Sequence, residues 1–215
     1  GKNTIGAFHQ PRLVFTDTAS LRTLPTRERV AGMAEVIKHG IIRDEEMFAF
    51  LEQHLEAVVD MSIEPERLDW LIARNVALKA GVVASDEREG GLRAILNYGH
   101  TIGHAIEAAT EYRQYNHGEA VILGMAAAGQ IACLMGLWPQ TQQQRQDDLL
   151  ERLGVPAGIG GVDAERIVER TRADKKRING KTRMVLARQV GHAELVDDID
   201  ESTIRAGVEH IQGKY

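Results

Sequence analysis

Cysteine is almost absent from this sequence, since Cys133 is the single one among 215 residues. The chain therefore cannot form an intrachain disulfide. Because Cys133 lies in the mostly apolar run Ala126–Leu134, we expect a buried, unreactive thiol in a reducing cytoplasm. Long apolar runs are also lacking, and no stretch reaches the roughly 18 consecutive apolar residues of a membrane-spanning helix. We therefore expect no membrane partner.

Positive charge is in deficit. The chain has 26 Lys and Arg residues against 31 Asp and Glu, which gives a net charge of -5 at pH 7. Such a chain repels nucleic acids and anionic membranes at long range, so we expect neither as a partner. An anionic small molecule would have to be bound by locally placed Lys and Arg side chains.

The spacing of apolar residues predicts a mainly α fold. Met33, Ile37 and Ile41, for example, recur at helical spacing after Pro25, which suits the start of a helix. The predicted helices are Thr26–Ile42, Asp44–Val59, Pro65–Ala84, Leu92–Glu111, Gly118–Met135, Thr141–Leu153, Asp163–Arg172 and a last stretch from Glu201.

Few segments have the character of strands. The β-branched run Arg12–Thr16 predicts one short strand near the N-terminus. Thr182–Ala187 and Ala193–Val196 flank a turn at Gly191 and predict a small hairpin. No internal repeat or Gly/Ser linker marks a second domain, so the whole chain is interpreted as a single domain.

A histidine motif lies in the segment NYGHTIGHAIE. His100, His104 and Glu107 are spaced four and three residues apart and therefore share one face of a helix. Two histidines at this spacing often bind a divalent metal, but they also occur on ordinary polar helix faces. The spacing alone leaves both interpretations open.

Two further residues favour a metal site. His117 precedes a buried helix, and from there its side chain can turn back toward the preceding helix. Glu35 lies among small and apolar residues, where an ionised carboxylate needs a cation or a buried partner. A pair between Glu35 and His39 on a solvated helix face is the alternative.

Basic and polar residues accompany this motif. Lys38, Lys79, Arg93 and Asn97 could bind a ligand with phosphate and carboxylate groups, because Arg donates bidentate hydrogen bonds and Lys supplies a mobile charge. Arg93 and Asn97 are predicted to share the helix face that leads to His100. Each residue taken singly is more often a surface charge, so this hypothesis depends on their convergence.

Two charged loops have two interpretations each. Glu89, four residues before Arg93, could act as a base if the neighbouring glycines fold its loop over the site, or it could be a solvated charge. The run 174–183 could bind a phosphate group or form a solvated turn before the hairpin.

Five segments resemble the 3-dehydroquinate synthase family. In chain order they are GKNTIGAFHQP, LRTLPTRERVAGMAEVIKHG, KAGVVASDEREGGLRAILNYGHTIGHAIE, HGEAVILGM and DKK. Together they span nearly the whole chain, and their order and spacing make the resemblance far more specific than an isolated GHxxGH.

The resemblance implies the C-terminal domain of a dehydroquinate synthase-like fold with a catalytic zinc or cobalt ion. Glu35, His100 and His117 are the implied metal ligands, while His104 is implied to be a proton acceptor and substrate contact rather than a fourth ligand. Glu89 is the second implied proton acceptor. Spacing alone would have grouped His104 with the ligands.

The family's reaction converts 3-deoxy-D-arabino-heptulosonate 7-phosphate into 3-dehydroquinate in the shikimate pathway. It proceeds by transient oxidation with NAD, phosphate elimination, re-reduction, ring opening and aldol closure. The implied substrate contacts are Asn3, Lys38, Lys79, Arg93, Asn97 and Lys176, and the implied NAD contacts are Lys2, Ser20, Leu21, Arg22 and Thr23.

The family's N-terminal NAD-binding domain is not found in this sequence. We therefore interpret residues 1–215 as the metal- and substrate-binding domain, with 1–24 as the remnant of the NAD-contacting region. We expect no turnover by this chain alone, a homodimer in the full-length enzyme, and self-association through apolar residues near Phe8, Leu13 and Phe15. The alternatives are a related sugar-phosphate cyclase and a non-catalytic helical assembly domain.

Overall fold

The fold is mainly helical, as predicted. A computed structural model describes residues 6, 11–86, 91–156, 159–173, 177–178 and 181–215. Within these ranges the chain forms eight α-helices and one three-stranded sheet. The helices are α1 (Thr26–Arg43), α2 (Glu45–Val59), α3 (Pro65–Ser85), α4 (His100–Ala109), α5 (His117–Leu134), α6 (Gln140–Glu151), α7 (Ala164–Ala173) and α8 (Glu201–Lys214), and three short 3₁₀ helices cover Thr18–Thr23, Leu92–Asn97 and Ile159–Gly161.

Local signals in the sequence determine where the helices begin. The Asp44 side chain accepts a hydrogen bond from the Met47 amide at the start of α2, and α3 begins at Pro65. Asn116 and Glu119 form a reciprocal capping box at the start of α5. Such caps satisfy amides that have no partner inside the helix, which explains why these helices begin close to their predicted positions.

Helix α5 is the centre of the hydrophobic core. Every residue from 118 to 129 is buried, and the helix packs against α1, α4, α6 and α8. It is long and apolar enough to cross a membrane, but 78% of it is buried inside the protein. It is therefore the core helix of a fold that is consistent with a soluble protein.

The predicted hairpin is confirmed and is longer than expected. β2 (Lys181–Gln189) pairs antiparallel with β3 (His192–Ile199), and β1 (Arg177–Ile178) pairs with the other edge of β2. The turn contains Gly191 at a φ of 86°, and its amide donates a 2.9 Å hydrogen bond to the Ile41 carbonyl. The hairpin is thereby joined to the end of α1.

The predicted strand at Arg12–Thr16 is wrong. This segment has no strand assignment, and the structure pairs it with none of the strands that it describes. Leu13 and Phe15 are 81% and 85% exposed. A β-branched run forms a strand only when a neighbouring strand satisfies its backbone groups, and the described residues supply none.

The single helix predicted for Leu92–Glu111 is also wrong. A 3₁₀ helix ends at Asn97, and α4 begins at His100 after Gly99 adopts a left-handed backbone with a φ of 77°. A Cβ atom at Gly99 would lie 2.9 Å from the Met125 amide nitrogen, so only glycine fits here. This break removes the helix face that Arg93 and Asn97 were expected to share with His100.

Candidate metal centre

Three helices each bring one possible metal ligand to a common point. Glu35 lies on α1, and His100 and His117 are the first residues of α4 and α5. Their ligand atoms all lie within 4.8 Å of one another. Glu35 Oε1 is 3.6 Å from His100 Nε2, and the ring centroids of His100 and His117 are 5.3 Å apart. Two imidazoles and one carboxylate suit zinc or cobalt, and a three-residue set is typical of catalytic sites with an open position.

The backbone before α4 orients the ring of His100. Its Nδ1 lies 3.1 Å from the carbonyl oxygen of Tyr98. Because a carbonyl oxygen can only accept, Nδ1 carries the proton and Nε2 keeps the lone pair that faces Glu35. Burial and the charge of Lys38 lower the pKa of His100 to about 4. The ring is therefore neutral at pH 7, as a metal ligand must be.

The two carboxylate oxygens of Glu35 have different surroundings. Oε2 accepts a 2.6 Å hydrogen bond from Lys38 Nζ, whereas Oε1 is buried with no hydrogen-bond partner among the described residues. Burial raises the pKa of Glu35, but the charge of Lys38 and its hydrogen bond outweigh this effect and hold the pKa below its ordinary value. A buried ionised oxygen without a partner costs free energy, which a cation beside Oε1 would offset. The residues therefore fit a divalent metal.

Close packing fixes the start of α5 against α1. A Cβ atom at Gly118 would lie 2.2 Å from the Ala31 carbonyl oxygen, so no larger residue permits this approach. The buried carboxylate of Glu119 accepts two hydrogen bonds, of 2.6 and 2.8 Å, from the Arg27 guanidinium. These contacts set the position of His117 relative to α1.

His104 lies beside the three possible ligands. Its exposed ring has its centroid 5.4 Å from that of His100 and 5.7 Å from that of His117. His104, Glu107 and His117 form a second group whose ligand atoms also lie within 4.8 Å of one another. An exposed imidazole at this point can exchange a proton with a molecule bound at the first group. The role of His104 as a proton acceptor stays a prediction.

Four of the six predicted substrate contacts lie on α1 or on elements that pack against it, and these are Lys38, Lys79, Arg93 and Asn97. Lys38 is only 2% exposed and contacts Glu35 directly. Burial lowers the pKa of Lys38, and the nearby charge of the exposed Lys79 lowers it further, while Glu35 opposes both. Arg93 and Asn97 are half-buried on the 3₁₀ helix that precedes α4, which packs against α1 and α3. The structure thus brings Lys38 into the ligand group and the other three onto neighbouring elements.

The predicted NAD-contacting segment forms a short helix beside a cavity. Ser20, Leu21, Arg22 and Thr23 belong to the 3₁₀ helix Thr18–Thr23. Ser20 and Leu21 line a mostly apolar cavity of about 300 Å³, whose wall on α1 includes Met33 and Val36. The other predicted site residues, which are Lys2, Asn3, Glu89 and Lys176, lie outside the described residues.

Two features that position the ligands were not predicted. The pairing of Arg27 with Glu119 joins residues 92 positions apart, and the sequence carries no signal for it. Glu107 was placed on the face of His100, but its partner is His117 on the next helix, with Glu107 Oε1 3.3 Å from His117 Nδ1. The spacing shows the face on which Glu107 lies, but only the packing of α4 on α5 shows its partner.

Comparisons of the sequence identify closely similar proteins. A family model described as 3-dehydroquinate synthase C-terminal matches residues 32–177, and one described as 3-dehydroquinate synthase N-terminal matches residues 1–31. Proteins named 3-dehydroquinate synthase from Nostoc punctiforme and a second Nostoc species are 51% and 52% identical over 206 residues. Each alignment covers 95% of this chain and 57% of the relative, so the chain spans little more than half the length of these relatives.

Solved structures show the same fold. A 2-epi-5-epi-valiolone synthase from Streptomyces hygroscopicus, with NAD+ and Zn2+ bound, matches with a TM-score of 0.88 and 26% identity, covering 99% of this chain and 59% of that one. A 2-deoxy-scyllo-inosose synthase, complexed with carbaglucose-6-phosphate, NAD+ and Co2+, matches with a TM-score of 0.82 and 30% identity, covering 97% and 58%.

Proposed function

Because the chain belongs to the 3-dehydroquinate synthase family, we propose that it is the metal- and substrate-binding part of a 3-dehydroquinate synthase. This enzyme would convert 3-deoxy-D-arabino-heptulosonate 7-phosphate into 3-dehydroquinate and phosphate. The supporting observation is the buried Oε1 of Glu35, which faces His100 Nε2 and has no hydrogen-bond partner within the described ranges. Glu35, His100 and His117 would hold a zinc or cobalt ion. The bound ion lowers the free-energy cost of ionising a substrate hydroxyl.

Lys38 and His104 are the proposed residues for handling the substrate at this point. Lys38 holds the Glu35 carboxylate in place and has further N–H groups to donate to a substrate oxygen. His104 accepts the proton that leaves the hydroxyl being oxidised. The remaining proposed substrate contacts are Asn3, Lys79, Arg93, Asn97 and Lys176, and Glu89 is the proposed second proton acceptor.

We propose that this chain binds NAD together with a second region, which corresponds to the part of the relatives that the chain does not span. Lys2 and the segment Ser20–Thr23 would contribute from this side. The apolar cavity beside Ser20 and Leu21 supports this assignment, because apolar walls with a few polar groups are typical of cofactor sites. A cytoplasmic homodimer is the proposed state of the full-length enzyme.

A related sugar-phosphate cyclase is the second candidate. Its support is the structural likeness to 2-epi-5-epi-valiolone synthase and 2-deoxy-scyllo-inosose synthase. These proteins are 26% and 30% identical to this chain, whereas the proteins named 3-dehydroquinate synthase reach 51% and 52%. The higher identity favours the first candidate.

Metal binding tests the site itself. The chelated chain should bind one zinc ion in a calorimetric titration, and Glu35→Gln should abolish this binding. Glu28→Gln, an exposed residue on the same helix, is the matched control and should bind as the wild type does. Absence of zinc binding by the folded wild-type chain would contradict the proposed site.

Turnover tests the reaction. The chain is fused to the part of the Nostoc punctiforme relative that precedes the aligned region. Phosphate release by this fusion is then measured with NAD and zinc. Release from 3-deoxy-D-arabino-heptulosonate 7-phosphate supports the proposed function. Release from glucose 6-phosphate, whose carbocyclic analogue is bound in the 2-deoxy-scyllo-inosose synthase structure, would instead favour the second candidate. Release from neither compound would contradict the first candidate.

A further inference from the structure

The contact between Glu107 and His117 joins α4 to α5 at one of the three proposed metal ligands. Glu107 Oε1 lies 3.3 Å from His117 Nδ1, and Glu107 is only 8% exposed. An ionised carboxylate can only accept hydrogen bonds, so Nδ1 must carry the proton of the neutral ring. The lone pair of His117 is then on Nε2, the nitrogen on the opposite side of the ring.

His100 has the corresponding arrangement. Its Nδ1 donates to the Tyr98 carbonyl oxygen at 3.1 Å, while its Nε2 faces Glu35 Oε1 at 3.6 Å. Both histidines of the ligand group therefore have an acceptor fixed behind Nδ1. A histidine that binds a metal through one nitrogen usually donates the other N–H to such an acceptor, which fixes the tautomer and the ring orientation.

The negative charge of Glu107 gives this residue a second effect on the proposed metal site. His117 is the first residue of α5, where the unpaired amides of a helix carry partial positive charge that opposes a bound cation. Lys38 also neutralises Glu35, the single carboxylate among the three ligands. The buried carboxylate of Glu107 therefore adds negative charge beside a group whose own single carboxylate is paired with Lys38.

We propose that Glu107 is a positioning residue that holds His117 in the Nδ1–H tautomer and so presents Nε2 to the metal. This inference rests on the proposed function, because it assumes that Glu35, His100 and His117 bind the ion. In this proposal Glu107 contacts His117 and does not bind the ion, although Glu107 also belongs to the second group of possible ligands with His104.

The tautomer can be measured without any metal. In the chelated chain at about pH 8, where histidines are neutral, long-range nitrogen–proton NMR of the histidine rings distinguishes Nδ1–H from Nε2–H. We expect His117 to be Nδ1–H in the wild type and to shift toward Nε2–H in Glu107→Ala. Glu107→Gln keeps an oxygen acceptor and should retain most of the Nδ1–H form. Glu111→Gln, an exposed carboxylate just after the same helix, is the control and should change nothing.

Zinc titration of the same four proteins supplies the second readout. Zinc should bind about 10–100-fold more weakly to Glu107→Ala, with Glu107→Gln in between and Glu111→Gln unchanged. An Nε2–H ring in the wild type, or an unchanged tautomer in Glu107→Ala, would overturn the inference. So would the loss of a second zinc equivalent in Glu107→Ala, because Glu107 would then be a ligand. If the wild type binds no zinc, the proposed metal site fails while the tautomer result still decides the role of Glu107.

Discussion

Glu35 Oε1 and His100 Nε2 face each other across 3.6 Å, and the carboxylate oxygen is buried without a hydrogen-bond partner in the described part of the chain. Lys38 donates a hydrogen bond to the other oxygen, Oε2, and keeps Glu35 ionised. The pair therefore has a lone pair on each side of the gap and no proton to share between them. A cation is the group that stabilises this arrangement.

Zinc should stabilise the fold, because it binds ligands that come together only in the native state. At about 100 times its dissociation constant, zinc should add about 2.7 kcal/mol to the free energy of unfolding. For a chain of this size this corresponds to a rise in Tm of about 5–10 °C. Thermal unfolding with and without zinc measures it. Glu35→Gln should lose the gain and Glu28→Gln should keep it, so an equal gain in both variants would contradict the assignment of Glu35.

The stability of the metal-free chain should depend on the protonation of His100. Burial and the charge of Lys38 lower the pKa of His100 to about 4 in the folded state, against about 6.5 in the unfolded state. As the pH falls from about 6.5 to about 4, the unfolded chain binds this proton first, so stability is lost across that window and is fully present above it. The shift corresponds to about 3 kcal/mol at most.

Urea unfolding of the chelated chain at about pH 7 and about pH 5 measures this loss. His100→Gln should remove most of this dependence. The exposed His192 supplies the control, and His192→Gln should leave the loss intact. The same pH dependence in the wild type and in His100→Gln would rule out His100 as its source.

Gly118→Ala should disturb both stability and metal binding. Its Cβ atom would lie 2.2 Å from the Ala31 carbonyl oxygen, so α5 must move away from α1 and take His117 with it. Such overpacking costs about 1–3 kcal/mol. Gly81→Ala is the matched control, because Gly81 is also helical and no atom lies within 4 Å of its added Cβ. Equal unfolding free energies and zinc affinities for the two variants would show that the approach of α5 to α1 does not matter.

The hydrogen bond from Tyr98 Oη to Gln146 Oε1, 2.7 Å long and fully buried, should stabilise the turn that precedes His100. Tyr98→Phe leaves that amide oxygen buried without its donor, so we expect a loss of about 1–3 kcal/mol in the free energy of unfolding. Tyr112→Phe removes a hydroxyl from a residue that is 72% exposed and should cost little. Chemical unfolding of both variants checks this, and similar losses in the two would contradict it.

The helices and the hairpin could be predicted because their signals are local. The 3.6-residue apolar spacing of α1, Pro65 at the start of α3 and the turn at Gly191 all depend on neighbouring residues in the chain. The prediction of a strand at Arg12–Thr16 failed because a strand depends on a partner that is distant in the sequence. The prediction of one continuous helix through Gly99 failed because the break is caused by the close approach of α5, which the sequence of α4 does not show.

Part of the candidate site could also be predicted from the sequence, and part of it could not. The residues themselves pointed to a metal site that includes Glu35, His100 and His117. The family resemblance implied that these three are the ligands and that His104 is not, and the structure brings their ligand atoms together. Their roles as ligands stay a prediction. The contact between Glu107 and His117 could not be found from spacing, because it depends on how α4 packs on α5.

X-ray absorption at the zinc edge tests the central claim most directly, since it reports the atoms bound to the ion in the chain loaded with one zinc equivalent. The account predicts two imidazole nitrogens and a carboxylate oxygen from the protein, unchanged in His104→Ala and reduced to one imidazole in His117→Ala. A third imidazole that disappears in His104→Ala, or a spectrum unaffected by His117→Ala, would contradict the assignment of Glu35, His100 and His117 as the ligands.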